Sequence, residues 1–195
     1  IYTLSLHDAL PISISCKDTF SYDYSATVGF EFFTFTTKID NKIIKLQIWD
    51  TCGQEIYRSL ITNFYRNASL AMMVYAIDSK ESFIHINQWL KEVKIQSNPD
   101  VKIVLIGNKK DLEDERQVTT QEAKRYKEEN QILYFEEASA KTGINSKEVF
   151  NQAARILYNE HNKYKIRANN NFEENNNNKT PTKLTKVEQN RKKRV

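Results

Sequence analysis

The stretch LAMMVYAID at residues 70–78 decides the fold, because it is a nearly continuous apolar run that is much too short to cross a membrane. Two similar runs follow it, VKIVLIGN at residues 101–108 and ILYFEEAS at residues 132–139. Short apolar runs of this kind suit strands that are buried on both faces of a parallel sheet. The sequence therefore predicts three parallel strands in the middle of the chain.

An antiparallel hairpin precedes these runs. Residues 28–39, VGFEFFTFTTKI, read as an aromatic-rich strand, and residues 43–50, IIKLQIWD, alternate apolar and polar side chains. Asp40 and Asn41 supply the turn, since both residue types tolerate the backbone of tight turns. The sheet is therefore expected to be mostly parallel with one antiparallel hairpin.

Helical patterns alternate with the parallel strands. Between positions 79 and 96, four apolar residues recur on one helical face, namely Phe83, Ile86, Leu90 and Val93. Thr119 with Glu122, and Asn145 with Glu148, have the capping-box spacing that opens two further helices. This order predicts a doubly wound α/β sandwich, in which ligands bind beyond the carboxyl ends of the strands.

The composition fits one globular domain in a reducing compartment. The chain has 195 residues, of which 39% are hydrophobic and 28% charged, and it holds only two cysteines. This composition argues against a disulfide scaffold and against a membrane-spanning helix. A cytoplasmic setting is therefore expected.

The two ends of the chain differ from the domain between them. Residues 165–195 hold nine Lys or Arg against three Glu, with runs of Asn, and predict a disordered Asn-rich basic tail. Such a tail is either a solvated linker or a binder of anionic membrane or nucleic acid, and the slightly acidic domain argues against nucleic acid. Residues 2–12, YTLSLHDALPI, lack periodicity and match the translation of a widely used sequencing-library adapter. We therefore interpret residues 1–14 as a foreign segment.

Residues suited to phosphate and metal chemistry follow the hairpin. Asp50 ends its second strand, where a carboxylate is well placed to hold a hydrated Mg²⁺. Gly53 follows and lets its backbone amide approach a phosphate, and Gln54 is then close to the terminal phosphate.

Residues suited to a purine follow the next two strands. Asn108, Lys109 and Asp111 bring an amide, an ammonium stem and a carboxylate to one loop. A carboxylate accepts two N–H donors from the edge of guanine, whereas adenine does not offer that pair. The segment 139–141, Ser-Ala-Lys, adds a backbone amide from a second loop. Each signal alone is also explained by an ordinary turn or polar loop, but their order and spacing are specific in combination.

Together, WDTCGQE at residues 49–55, GNKKDL at 107–112 and EASAK at 137–141 resemble the guanine-nucleotide motifs of the Ras-like small GTPases. TVGFEF at 27–32 and VYAID at 74–78 resemble the Rab group. The resemblance implies a P-loop-NTPase-like sandwich of the small GTPase type over residues 15–164.

The resemblance also implies roles for single residues. Thr27 and Asp50 would hold Mg²⁺, Thr27 and Gly53 would contact the phosphates of GTP or GDP, and Gln54 would orient the attacking water. The residues implied for guanine binding are Asn108, Lys109, Asp111, Ser139, Ala140 and Lys141. The aromatic residues implied for effector recognition are Phe32, Trp49 and Tyr65, for which plain core or hairpin packing is the alternative.

The implied function is a Rab-type switch that binds and hydrolyses GTP and recruits effectors in vesicle traffic. Its partners would be exchange factors, GTPase-activating proteins and effectors, with the membrane reached from the cytoplasm through a C-terminal lipid anchor and with no role for nucleic acid. The alternative is a nucleotide-free interaction module that uses the aromatic hairpin surface.

Three departures from the family pattern affect these expectations. Cys52 stands where a smaller residue is usual before Gly53. The only glycines are Gly29, Gly53, Gly107 and Gly143, so no GxxxxGK[ST] phosphate loop occurs, and we expect the family's strand before that loop to be missing too. The alternative for that strand position is that residues 1–14 fill the gap by backbone pairing alone. No prenylation cysteine stands near Val195. The chain as written is therefore expected to be inactive as a GTPase.

Overall fold

The structure is a computed structural model. It describes the backbone of residues 2–4, 30–51 and 65–177, and the side chains of residues 31–50 and 65–167.

A six-stranded sheet forms the centre of the fold, in the order β2-β3-β1-β4-β5-β6. Strands β2 and β3 are antiparallel, and every other neighbouring pair is parallel. The strands are β1 (Tyr2–Leu4), β2 (Phe30–Ile39), β3 (Lys42–Thr51), β4 (Leu70–Ala76), β5 (Lys102–Asn108) and β6 (Tyr134–Glu137). The predicted parallel strands and the predicted hairpin are thus confirmed.

The central position of the sheet corrects one part of the expected fold, because it is not vacant. Tyr2–Leu4 pairs with β3 on one side and with β4 on the other, and Thr3 stands opposite both Asp50 and Met72. The physical reason is that strand pairing uses backbone N–H and C=O groups, which any extended segment supplies. Three residues of the segment interpreted as foreign therefore take the place of the missing strand. Residues 5–29, where a phosphate loop would follow, lie outside the described residues.

The hairpin turn adopts the geometry that its residues favour. Asp40 and Asn41 have φ of 47° and 62°. Two successive left-handed residues form the type I′ turn, whose twist matches that of the flanking strands. The predicted turn is confirmed.

Three α-helices follow β4 among the described residues: α1 (Lys80–Gln96), α2 (Thr120–Glu129) and α3 (Ser146–Asn177). Ser79 caps α1 and Thr119 caps α2, because their hydroxyls accept the backbone N–H of Ser82 and Glu122 at 3.2 and 3.1 Å. Asn145 adopts a left-handed φ of 57° before α3.

The two faces of the sheet bury separate cores. Phe35, Ile48, Met72 and Ile106 pack with Phe150 of α3 on one face. The other face packs against α1 and α2 through residues of β4 and β5 and the apolar face of α1, namely Ala71, Met73, Tyr75, Leu105, Phe83, Ile86, Leu90 and Val93. All seven residues of β4 are buried, which confirms the predicted doubly wound sandwich.

The C-terminal part of the chain corrects a second expectation. The contacts divide the chain after Asn159, and in the second unit the described backbone is helical as far as Asn177. Residues 165–177 are therefore helical where disorder is predicted, because extending an existing helix adds one hydrogen bond per residue without a new nucleation step. Residues 178–195 lie outside the described residues. Among the described helices, none combines the length and the apolar character that crossing a membrane requires.

Candidate functional site

The loops after β5 and β6 are joined at the carboxyl edge of the sheet. Asn108, the last residue of β5, is buried, and its Oδ1 accepts the backbone N–H of Ala140 at 3.2 Å. Two backbone bonds connect the same segments, from Ala138 N to Gly107 O at 2.8 Å and from Lys110 N to Ala138 O at 3.0 Å. Sequence segments about thirty residues apart therefore form one rigid edge.

The predicted base-selecting residues meet within this edge. The Ser139 hydroxyl donates to Oδ1 of Asp111 at 2.5 Å, and Nζ of Lys141 lies 3.9 Å from Oδ2. Ser139 Oγ also accepts the backbone N–H of Thr142 at 3.1 Å, which fixes the direction of the hydroxyl. The structure thus brings Asn108, Asp111 and the segment 139–141 together.

Lys109 has an unusual backbone and a partner that the sequence patterns did not single out. Its φ is 64°, in the left-handed region, and its Nζ lies 3.3 Å from Oδ2 of Asp78. Asp78 follows β4, the neighbour of β5 in the sheet. The rule that parallel strands end at one edge identifies Asp78 as a neighbour of the site.

Arg116 forms a second feature that was not predicted. Its guanidinium donates to both carboxylate oxygens of Glu137 at 2.7 and 3.0 Å and to both oxygens of Glu113 at 2.8 and 2.6 Å. The same group donates to the Val118 carbonyl at 2.9 Å, and the Thr120 hydroxyl donates to Glu137 at 3.0 Å. Glu137 begins the EASAK motif, so this network ties the loop after Asp111 to the loop that holds Ser139.

The network changes the acidity of Arg116 and Glu113. Hydrogen bonds to Glu113 and Glu137 raise the pKa of Arg116 above its ordinary value. The hydrogen bond from Arg116 lowers the pKa of Glu113. Both shifts favour the charged forms, so the ion pairs persist at neutral pH.

Arg116→Ala is expected to lower the free energy of unfolding by about 3 kcal/mol, because it leaves the Glu137 carboxylate, only 7% exposed, without its cation. Glu113→Ala is the matched control and removes a carboxylate that is 63% exposed, so its cost is expected to be much smaller than that of Arg116→Ala. Urea unfolding of both variants checks this difference. Equal losses would show that Glu137 does not depend on Arg116.

The predicted metal and catalytic residues fall partly within the described chain. Asp50 is buried near the end of β3. Its carboxylate oxygens fit Mg²⁺, which proteins usually hold through one or two carboxylates together with water and phosphate. Thr27, Cys52, Gly53 and Gln54 lie outside the described residues. The described part of the chain holds no group of three or more His, Cys, Asp or Glu placed for a metal ion.

The three predicted effector residues lie in different surroundings. Phe32 is 45% exposed, and its ring centroid lies 4.8 Å from that of Trp49. Tyr65 is only 3% exposed, and its hydroxyl donates to Oε2 of Glu92 at 3.4 Å. The exposed Phe32 and the partly buried Trp49 therefore form an aromatic pair on the hairpin, whereas the Tyr65 ring packs in the core beside α1.

Comparison with known proteins identifies the family. The model of the Ras family matches residues 12–159. The chain is 46% identical over 147 residues to the Ras-related protein RABA4b of Arabidopsis thaliana. The matched region covers 75% of this chain and 65% of that protein. It is 43% identical over 140 residues to the Ras-related protein RabQ of Dictyostelium discoideum, covering 72% and 68% respectively. It is 41% identical over 143 residues to the human Ras-related protein Rab-4B, covering 73% and 67%.

These matches span about two thirds of the length of the curated relatives. The Ras-family model covers residues 12–159, which include β2 to β6 and the loops between them, and the matched relatives carry Rab names. This chain therefore belongs to the Ras family and, within it, to the Rab small GTPases.

Proposed function

We propose that this protein is a guanine-nucleotide switch of the Rab type, which binds and hydrolyses GTP and recruits effectors in vesicle traffic. The observation that carries the proposal is the meeting of Asn108, Asp111, Ser139 and Ala140 at the carboxyl edge of the sheet. This is the edge at which open parallel α/β sheets bind ligands.

Asp111 selects guanine in this proposal. Its carboxylate accepts the two N–H donors of the guanine edge, and a bidentate bond to a charged acceptor is both strong and directional. The Ser139 hydroxyl at 2.5 Å and the Lys141 ammonium at 3.9 Å hold the carboxylate in place. Adenine lacks this pair of donors and is rejected.

Asn108 and Ala140 complete the base pocket. The Asn108 side chain accepts the Ala140 amide at 3.2 Å and so fixes the second loop against the end of β5. The carbonyl oxygen of a bound purine can accept a hydrogen bond from the same amide, since one N–H group can form a bifurcated hydrogen bond to two acceptors. The pocket is thus largely formed before the nucleotide arrives.

At the phosphate end of the site, the proposed residue roles come from the family resemblance. Thr27 and Asp50 would hold Mg²⁺, which when bound neutralises charge on the phosphates, and Gln54 would orient the attacking water. Two loops would order around the γ-phosphate and relax after hydrolysis, which changes the surface that effectors read. Exchange factors would set the rate of nucleotide release, and GTPase-activating proteins would set the rate of GTP hydrolysis. A lipid anchor would hold the protein at the cytoplasmic face of endomembranes.

Gln54→Leu is expected to leave GTP binding unchanged and to slow hydrolysis by about tenfold or more, because it removes water positioning and no nucleotide contact. The test uses a variant in which a strand and a GxxxxGK[ST] loop from a Rab relative replace residues 2–12. Single-turnover hydrolysis and GTP affinity are measured in parallel. Loss of affinity with unchanged hydrolysis would remove Gln54 from its proposed role.

A second candidate function is a nucleotide-free interaction module. The half-exposed ring of Phe32 packs against Trp49, and aromatic residues of this kind are enriched in protein interfaces. This pair favours the module function, because it offers a surface to a protein partner. The printed sequence also has no GxxxxGK[ST] stretch, so we expect this form of the chain to bind GTP weakly. Competition of GTP, GDP and ATP for a fluorescent guanine nucleotide, measured in the variant with the replaced strand and GxxxxGK[ST] loop, separates the two functions. Selective displacement by GTP and GDP supports the switch, and a folded protein with no binding supports the module.

A further inference from the structure

Asp78 lies beside the base pocket and has one polar partner among the described residues, Lys109. Its Oδ2 is 3.3 Å from Nζ of Lys109, and its side chain is 17% exposed. The other carboxylate oxygen, Oδ1, is buried and has no hydrogen-bond partner within the described chain. The ammonium of Lys109 is therefore the group that offsets the charge of a largely desolvated carboxylate.

The backbone around this pair is held from both sides. Lys109 has a left-handed φ of 64°, a conformation that persists in a residue other than glycine only when its surroundings enforce it. Leu112 N donates to the Lys109 carbonyl at 2.8 Å, and Ile77 N donates to the Asn108 carbonyl at 3.0 Å. The segment that carries Asp78 is thus fixed to the segment that carries Lys109. The flexible stem of Lys109 is held at its backbone and at its ammonium.

We propose that Asp78 is a positioning residue of the base pocket, which holds the stem of Lys109 in its binding conformation and so lengthens the lifetime of the bound guanine nucleotide. This inference rests on the proposed function for the nucleotide, while the contact itself belongs to the protein alone. A free lysine stem populates many rotamers, and binding would have to select one of them. The contact with Asp78 restricts the rotamers of Lys109 before the nucleotide binds.

The first experiment needs no nucleotide. Amide hydrogen exchange is measured by NMR on the full chain for Lys110, Leu112 and, as a core reference, Met73. Asp78→Asn is expected to speed exchange at Lys110 and Leu112 by about five- to tenfold and to leave Met73 unchanged, because only the loop loosens. Asp114→Asn is the matched control, since Asp114 is exposed on the same connection, and it should change none of the three.

The double mutant identifies the partner. In a Lys109→Met background, Asp78→Asn is expected to have no effect on the loop amides or to slow their exchange, because the carboxylate has then lost its cation. With Lys109 present, Asp78→Glu keeps a carboxylate and is expected to retain part of the exchange protection that Asp78→Asn removes from Lys110 and Leu112. Equal effects in both backgrounds, or acceleration at Met73 as well, would overturn the proposal and leave Asp78 a general stabiliser of the fold.

The second experiment measures dissociation of a fluorescently labelled GDP from the full chain. Asp78→Asn is expected to raise the dissociation rate by about five- to tenfold, and only when Lys109 is present. Slower dissociation would show that Asp78 competes with the nucleotide for Lys109 and would overturn the proposal. If the unmutated chain binds no GDP, the proposed function fails, whereas the exchange rates of Lys110 and Leu112 still decide whether Asp78 holds Lys109.

Discussion

Asp111→Asn is expected to lower the affinity for GTP by at least about a hundredfold and to raise the affinity for xanthosine triphosphate. The carboxylate accepts two donors from guanine, whereas an amide presents one acceptor and one donor, so one of the two bonds becomes a clash of donors. Xanthine carries an oxygen where guanine carries its amino group and restores the match. The measurement is competition between the two nucleotides in the variant with a restored strand and phosphate loop.

The structure supplies a control for this exchange of specificity. Asp114→Asn makes the same chemical change three residues further along the chain, at an exposed position. It is expected to leave both affinities unchanged. Asp111 would be removed from the base pocket if GTP and xanthosine triphosphate competed as before in the Asp111→Asn variant.

Gly107→Ala is expected to lower the free energy of unfolding by about 2 to 3 kcal/mol, the usual cost of overpacking a core. A Cβ at this position would lie 2.8 Å from the hydroxyl oxygen of Tyr75 and 3.2 Å from Cγ2 of Ile77. The Tyr75 ring cannot move aside cheaply, because it is fully buried and its centroid lies 4.8 Å from that of the Phe83 ring. Urea unfolding of the full chain measures the loss.

Tyr75→Phe tests the cause of that loss. The Tyr75 hydroxyl is buried and has no hydrogen-bond partner within the described chain, and its burial, with a smaller effect of Glu137, raises its pKa. Removing it is expected to cost nothing or to stabilise the protein by up to about 1 kcal/mol. In the double variant the 2.8 Å contact of the added methyl group with the hydroxyl disappears, whereas the 3.0 Å contact with Cζ of the ring remains, so part of the Gly107→Ala loss should return. If the losses in free energy of unfolding caused by Gly107→Ala and Tyr75→Phe simply add in the double variant, the clash does not involve the Tyr75 hydroxyl.

The parts of the fold that follow from local patterns were predictable. The turn at Asp40 and Asn41, the cap at Thr119 and the buried face of α1 each depend on residues close to one another in sequence. Hydrophobic periodicity and capping chemistry act over that range. The meeting of the loops after β5 and β6 was also predictable, since parallel strands bring their carboxyl ends to one edge.

The features that were missed depend on distant contacts or on the backbone alone. Arg116 and Glu137 are 21 positions apart, and Asp78 and Lys109 are 31 apart, so neither pair leaves a local pattern. The occupation of the central strand position by Tyr2–Leu4 was open as an alternative but could not be decided, because backbone pairing leaves no side-chain pattern. The burial of Tyr65 is decided by its packing beside α1, and an aromatic residue read from sequence fits a core and a binding surface equally well.

The most direct test of the guanine pocket is an NMR titration of the full chain, labelled with ¹⁵N, by GDP and separately by ADP at millimolar concentrations. This measurement detects weak binding and locates it on the chain. The proposed function predicts that GDP shifts the amide signals of Lys110, Asp111 and residues 139–141, and that ADP leaves them unchanged. Equal shifts with both nucleotides, or none with GDP in a folded protein, would contradict it.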